Sequence, residues 1–488
     1  MYIAFMNPQG NFDKADSYWT MHPDFGGQLV YVKEIASSLA RMGHKIDIFT
    51  RKFNDERFPE FKSEFDFYDN IENLRIIRVP CGPDQFLSKE DLWPFLDEWT
   101  DNIIAFFESQ NRFPDFVTGH YGDGGLSAAY LKRKKQIPYS FTAHSLGAQK
   151  LDKLFQEIPD FEDLENRYHF SKRILAERIS IELADILFVS THQESSEQYF
   201  HPLYADISQS AKVDHRFSVV PPGANTLVFT EDEKSFDHEM FHKIQTVLER
   251  DIDPSRIDYP YLVLASRLDP KKNHLGLLKA FASDPIIQKQ SNVIISLRGI
   301  DHAFSDYELA SSDEKEILDQ MMKIIKDFDL YGKISFINIK SQQELSSFYR
   351  FMSIKRSAFV LTSLYEPFGL APIEAMSSGL PAVVTKNGGP SEVLKEGSKE
   401  FGVLVDPTDS QDIAEGIHKL FSNYQFYKEQ GKQRVLEKYT WDAAAKGYLK
   451  KINSSVKNNK IDFSFDNTQF EKSSGQIHRY LDPIEVMK

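Results

Sequence analysis

Glu366-Pro367-Phe368-Gly369-Leu370-Ala371-Pro372-Ile373-Glu374 carries two glutamates across the junction of a strand and a helix. The apolar run 358–362 before it reads as a strand, and 371–378 reads as a helix closed by Gly379. Open α/β sheets hold their ligands where strands end and helices begin. Gly369 and Leu370 would offer backbone N–H groups at the positive end of a helix dipole, which suits a diphosphate. Glu374, one turn into the helix, can accept hydrogen bonds from ribose hydroxyls. Glu366, before the turn, can do the same for a hexose.

On either side, short apolar strands alternate with amphipathic helices, which implies α/β architecture with parallel sheets. A first series of strands reads at 2–6, 45–50, 74–79, 116–119, 139–143, 186–190 and 217–220. A second reads at 261–265, 293–298, 334–337, 358–362, 381–385 and 402–405. Pro221-Pro222-Gly223 lies between the series, and two prolines followed by a glycine mark a hinge. The expected partition is 1–222, 223–440 and a C-terminal helix and tail, 441–488. That tail is polar but carries Phe463, Phe465, Phe470, Tyr480 and Leu481, placed to dock back on the N-terminal domain.

The 488 residues are 41% hydrophobic and 13% aromatic, enough for two cores. The single cysteine, Cys81, excludes an internal disulfide framework. Met1-Tyr2-Ile3-Ala4-Phe5 enters a strand with no basic leader, and no apolar run reaches membrane-spanning length, so a cytoplasmic protein with no membrane partner is expected. A net charge of −14 argues against nucleic acid or an anionic membrane. An anionic substrate must therefore meet a local basic cluster.

Four further stretches carry chemistry. Asp24-Phe25-Gly26-Gly27-Gln28 precedes a helix over 29–42, and its glycines let a ligand approach a helix start. Gly119-His120-Tyr121-Gly122-Asp123-Gly124-Gly125 reads as a glycine-rich loop after a strand, with Tyr121 free to project. Thr142-Ala143-His144-Ser145-Leu146-Gly147-Ala148-Gln149-Lys150 sets His144 at a strand's carboxyl end. In Ser266-Arg267-Leu268-Asp269-Pro270-Lys271-Lys272-Asn273 two cations, Arg267 and Lys272, can converge on one diphosphate and stabilise a leaving group. Asp13-Lys14-Ala15-Asp16 has neither the spacing nor the strand-end setting of an Asp-x-Asp metal motif, so no catalytic metal is expected.

With these residues in place, the chain resembles the sucrose-phosphate synthases of the retaining GT-B glycosyltransferase family that includes sucrose synthase. The motifs that carry the resemblance are Asn7-Pro8-Gln9-Gly10-Asn11, Pro23 to Gln28, Thr142 to Gly147 and Glu366 to Leu370. The resemblance implies two Rossmann-like domains facing each other across a cleft, and transfer of glucose from UDP-glucose to fructose 6-phosphate with retention. It implies that Gly26, Gly27, Gln28, Lys89, Tyr121, Ser145, Lys150, Lys172 and Arg173 face the acceptor, Ser171 departing from the family's more basic pattern. His144 would lie beside the transferred sugar. Arg267, Lys272, Glu366, Phe368, Gly369, Leu370 and Glu374, with Gly27, would hold the donor, whose base would stack near Ile339, Lys340 and Ser341. His144, Arg267, Lys272 and Glu366 would be catalytic. The departing diphosphate would take the acceptor's proton, so no protein nucleophile is needed. No cofactor is required, Mg2+ being allowed as a non-essential activator. The chain has no Asp-x-Asp-Gly-Thr phosphatase signature, so a separate phosphatase would act downstream. A mannosylfructose-phosphate synthase using GDP-mannose, another transferase making a non-reducing disaccharide, and a sugar-nucleotide 2-epimerase remain open.

Overall fold

The computed structural model describes residues 1–10, 12–14, 27–69, 71–455 and 460–486. It divides into two compact units, Met1–Pro221 with Ala444–Lys488, and Pro222–Ala443. Among the described residues the first unit is built on eight strands: β1 (Tyr2–Met6), β2 (Lys45–Lys52), β3 (Phe65–Asp66), β4 (Leu74–Pro80), β5 (Phe116–His120), β6 (Tyr139–Thr142), β7 (Ile186–Val189) and β8 (Phe217–Val219). Their order is β3-β4-β2-β1-β5-β6-β7-β8, parallel throughout except where β3 runs against β4. Every residue of β1 and β5 is buried, as expected for strands covered on both faces. Helices α1 (Gly27–Arg41), α2 (Leu96–Ser109), α3 (Tyr121–Lys135), α4 (Gly147–Glu157), α5 (Phe161–Tyr168) and α6 (Phe170–Leu183) supply that cover. The strand order reverses between β1 and β5, and open α/β sheets generally hold a ligand outside the carboxyl ends of the strands at such a point.

The stretch from Gly119 to Gly125 corrects the sequence reading, because it is not a loop. Helix α3 starts directly at Tyr121, whose φ of 66° makes the bend. A Cβ on Gly124 would collide with the Met6 carbonyl oxygen, and one on Gly125 with the Ser180 hydroxyl and the Phe141 ring. The close packing of Gly124 and Gly125 lets α3 lie against the sheet and α6.

The C-terminal segment belongs to the first unit from Ala444 onward, although its helix, Trp441–Ser455, starts in the second. Tyr448 stacks on Phe188 with ring centroids 3.7 Å apart, and its hydroxyl bonds to Tyr31 and Thr142. In the tail, Phe463 packs on Tyr130, Phe465 on Trp93 and Phe470 on Phe465, while Ile477 and Leu481 are buried in the core. Tyr480 donates to Asp152 at 2.9 Å. The polar tail is not all irregular: the helix Asn467–Val486 runs through its second half.

The second unit contains β9 (Tyr261–Ala265), β10 (Asn292–Leu297), β11 (Ile334–Asn338), β12 (Ala358–Leu361), β13 (Ala382–Thr385), a ribbon of β14 (Lys395–Glu396) and β15 (Lys399–Glu400), and β16 (Val403–Val405). Six of them form a parallel sheet in the order β11-β10-β9-β12-β13-β16. Here the order reverses between β9 and β12. Both loops singled out in this half of the sequence, Ser266 to Asn273 and Glu366 to Leu370, leave the carboxyl ends of those two strands.

Candidate active site

In the second unit the loop after β9 is fixed by Asn273, which takes a left-handed conformation with φ 51°. Its amide donates to the carbonyls of Thr362 (3.0 Å) and Pro407 (2.8 Å), and Thr362 donates back to the Asn273 carbonyl at 2.9 Å. The β9 loop is thereby tied to the end of β12. Across this junction Lys272 donates to Glu366 at 2.6 Å, with both side chains largely enclosed. Arg267 is exposed, and its guanidinium makes no hydrogen bond or ion pair among the described residues. Ala265 and Ser296 are partners in the register of β9 and β10, so Arg267 and Arg298 each follow by two residues and emerge side by side. Burial lowers the Arg298 pKa, and the charge of Arg267 lowers it further.

Gly369, with φ 95°, caps the helix Leu370–Ser377 and turns the chain so that the helix start faces this junction. The loop is seated by residues that the sequence reading passed over. Glu366 N–H donates to the Asn387 carbonyl, Gly389 N–H donates to the Glu366 carbonyl, and a Cβ on Gly388 would strike that same oxygen. Phe368 is buried against Tyr439 and so anchors the loop from the inside. Glu374 lies half-buried one turn along the helix, close enough to Tyr349 to raise that buried hydroxyl's pKa further.

In the first unit, β5 and β6 end in two residues of left-handed backbone, Tyr121 (φ 66°) and His144 (φ 58°). Such strain costs of order 1–3 kcal/mol per residue and gathers at functional sites. The His144 Nε2 and His120 Nδ1 atoms share a hydrogen bond of 2.9 Å, and the two rings stack. Burial pushes His144 down to about 3, and burial with the neighbouring ring holds His120 well below its usual range. Both imidazoles are therefore neutral near pH 7.

Arg173, on α6, is buried and pairs with Glu177 at 3.0 Å. Its guanidinium also donates to the Ser145 carbonyl at 3.1 Å and lies 4.8 Å from the centre of the Tyr121 ring. Glu177 in turn accepts from the Gly147 N–H and from Tyr204. Ser145 donates to the Tyr121 hydroxyl at 3.4 Å. A small recess is lined by Lys89, Glu90, Trp93, Tyr121, Asp123, Tyr168 and Arg173. Lys150, on α4, lays its ammonium 4.1 Å from the centre of the Tyr168 ring.

Of the acceptor residues expected from the sequence, Lys89, Tyr121 and Arg173 line the recess, Ser145 is hydrogen-bonded to the last two, and Lys150 touches its wall. Lys172 instead points its ammonium at Phe470, 5.7 Å from the ring centre. Ser171 is turned inward, donating its N–H to Glu165 at 2.9 Å. Gln28, at the start of α1, donates to the buried Asn7 at 2.6 Å. A Cβ at Gly27 would meet no atom, so packing places no demand on this glycine. Gly26 and Asp16 lie outside the described residues. Among the described residues no cluster of three or more His, Cys, Asp or Glu side chains is placed to hold a metal, and no helix is long and apolar enough to cross a membrane. Sequence reasoning missed Asp123, Arg298 and the Asn387 to Gly389 support; only the glycine pair Gly388-Gly389 carried a visible turn signal.

Comparison with known proteins identifies the fold and the family. Residues 1–249 match the family described as sucrose synthase first GT-B domain, and residues 248–435 match glycosyl transferases group 1. A solved sucrose-phosphate synthase from Thermosynechococcus elongatus aligns over 93% of this chain and 98% of its own, with a TM-score of 0.65 at 21% identity. Fold and site thus define a GT-B glycosyltransferase. The probable sucrose-phosphate synthase of Thermosipho melanesiensis is 43% identical over 452 residues, 93% of this chain and 96% of that protein. The probable sucrose-phosphate synthase 1 of Oryza sativa subsp. indica is 29% identical over 93% of this chain but only 46% of its own length, so the chain spans about half of that plant relative. The chain belongs to the sucrose-phosphate synthase family.

Proposed function

We propose that the protein moves glucose from UDP-glucose to fructose 6-phosphate with retention of configuration, releasing sucrose 6-phosphate and UDP. The second unit binds the donor and the first the acceptor. The observation that carries this reading is the junction at which Lys272 and Glu366 pair at 2.6 Å beside the unpartnered Arg267 and a helix start capped by Gly369. A sugar diphosphate needs these parts: fixed positive charge for the leaving group, N–H groups for its oxygens and a carboxylate for the hexose hydroxyls. Glu366 is engaged by a cation, which makes it a poor nucleophile and suits it to orienting. His144 is neutral and can contact the sugar without competing for protons. The proton of the acceptor hydroxyl then passes to the departing diphosphate oxygen on the same face.

On this account Arg267, Lys272 and the helix start supply the leaving-group charge, and Mg2+ acts at most as an activator. The product leaves as a phosphate ester, so a separate phosphatase must consume it, in the cytoplasm. A matrix of UDP-glucose, ADP-glucose and GDP-mannose against fructose 6-phosphate, fructose and glucose 6-phosphate tests the assignment. UDP-glucose with fructose 6-phosphate should turn over fastest. Preference for GDP-mannose would identify the mannosyl enzyme instead, and nucleotide-sugar interconversion without acceptor would identify an epimerase.

A further inference from the structure

Asp123 stands in the first turn of α3 and is 2% exposed. One carboxyl oxygen accepts the Gly124 N–H at 2.8 Å. The other, Oδ2, is equally buried and has no hydrogen-bond partner among the described residues. An orphaned buried polar atom is rare and costly to the fold, and this residue lines the same recess as Lys89, Tyr121 and Arg173. We infer that Asp123 is a positioning residue of the acceptor-phosphate site that takes up a proton from solvent when the phosphate ester binds. The inference rests on the acceptor reading above.

The charged and titratable groups around it come from four elements: Lys89 and Glu90 from the segment before α2, Tyr121 from its own helix, Tyr168 from α5, and Arg173 with Glu177 from α6. Burial pushes the carboxyl up to about 7, against the opposing pull of the Gly124 N–H and of Lys89 and Arg173. Near neutral pH the empty site therefore holds a mixture of acid and carboxylate. A phosphate monoester brings nearly two negative charges and engages the cations that had favoured the carboxylate. Both effects favour the neutral acid, whose O–H can then donate from Oδ2 toward the ester. Because binding and protonation are linked, acceptor affinity must fall as pH rises above 7.

The test is calorimetric titration of the full-length protein with fructose 6-phosphate at pH 8, in two buffers of different ionisation enthalpy. At that pH the ester, with its second pKa near 6, is already a dianion and contributes little. Wild type should take up roughly half a proton or more, and its affinity should drop several-fold per unit between pH 7.5 and 9, approaching the tenfold limit for one linked proton. Asp123→Asn, which mimics the neutral acid, should show no uptake and a flat pH dependence, with affinity near the wild-type value at pH 7. Binding to wild type without proton uptake, or unchanged uptake in Asp123→Asn, overturns this inference alone. If fructose 6-phosphate fails to bind wild type at all, the acceptor reading falls and takes this one with it. Should Asp123→Asn fail to fold, the wild-type buffer and pH dependence still decides.

Discussion

At the scale of single residues, Glu366 and Glu374 flank one helix start and so have different partners. Glu366 meets Lys272 at the end of β12, whereas Glu374 lies one turn along the helix. Glu374→Gln should chiefly weaken inhibition by UDP, because the ribose stays on the departing product. Glu366→Gln should slow glucosyl transfer and leave UDP inhibition nearly intact. Equal effects on both quantities would show that at least one glutamate is misassigned. Arg267→Ala and Lys272→Ala should each lower turnover by roughly 100-fold, the usual loss when one preorganised charge is removed from a transition state. Native circular dichroism with turnover lowered only a few-fold would make the turn a solvated basic loop. These four residues were legible because their motifs sit directly behind apolar strands. Asp123 was not, since what sets it apart is its burial and the absence of a partner for Oδ2 among the described residues, neither of which one sequence displays. Ser171 was legible as a departure, and the structure gives the reason: it is turned toward Glu165.

At the scale of elements, the strands of both sheets lie within a residue or two of their expected positions, because parallel strands buried on both faces are continuous apolar runs. The two-residue strands β3, β14 and β15 lie outside that signal: they are too short to show a period, and they sit at an edge or in a separate ribbon. The Gly119 to Gly125 stretch misled for another reason. Glycine spacing signals close backbone approach, and only the tertiary structure says whether a ligand or a neighbouring strand makes that approach. Gly124→Ala should therefore destabilise the first unit by about 1–3 kcal/mol, since its Cβ runs into the rigid Met6 carbonyl. Gly475→Ala should do the reverse. It lies within the helix Asn467–Val486, its Cβ would meet only the tip of Arg479 at 3.6 Å, and alanine gains about 0.5–1 kcal/mol over glycine in such a position. Thermal unfolding of the two variants checks both signs, and a neutral Gly124→Ala would remove the packing explanation.

At the scale of the whole molecule, the chain crosses between the units twice, near Pro221 and again within the helix Trp441–Ser455. The expected hinge at Pro221-Pro222-Gly223 lies at the first crossing. The second was harder to place, because the helix runs through it without a break in pattern. The described tail contributes two buried apolar side chains, Ile477 and Leu481, and covers Trp93 and Tyr130. Full burial of an aliphatic side chain is worth about 1.5–3 kcal/mol. Deleting residues 460–488 should consequently lower the melting temperature of the first unit by several degrees and leave the second unchanged. A uniform shift of both transitions, or none, would mean that the tail is not part of the first unit's core.

The central claim is a direct, retaining transfer to a phosphorylated acceptor. Proton and phosphorus NMR of the protein incubated with UDP-glucose and fructose 6-phosphate tests it in one sample. UDP should accumulate only when fructose 6-phosphate is present, in step with a new α-configured glucosyl anomeric signal and a phosphate monoester that stays on the fructose carbon. A β-configured product, UDP release without acceptor, or equal turnover of unphosphorylated fructose would contradict it.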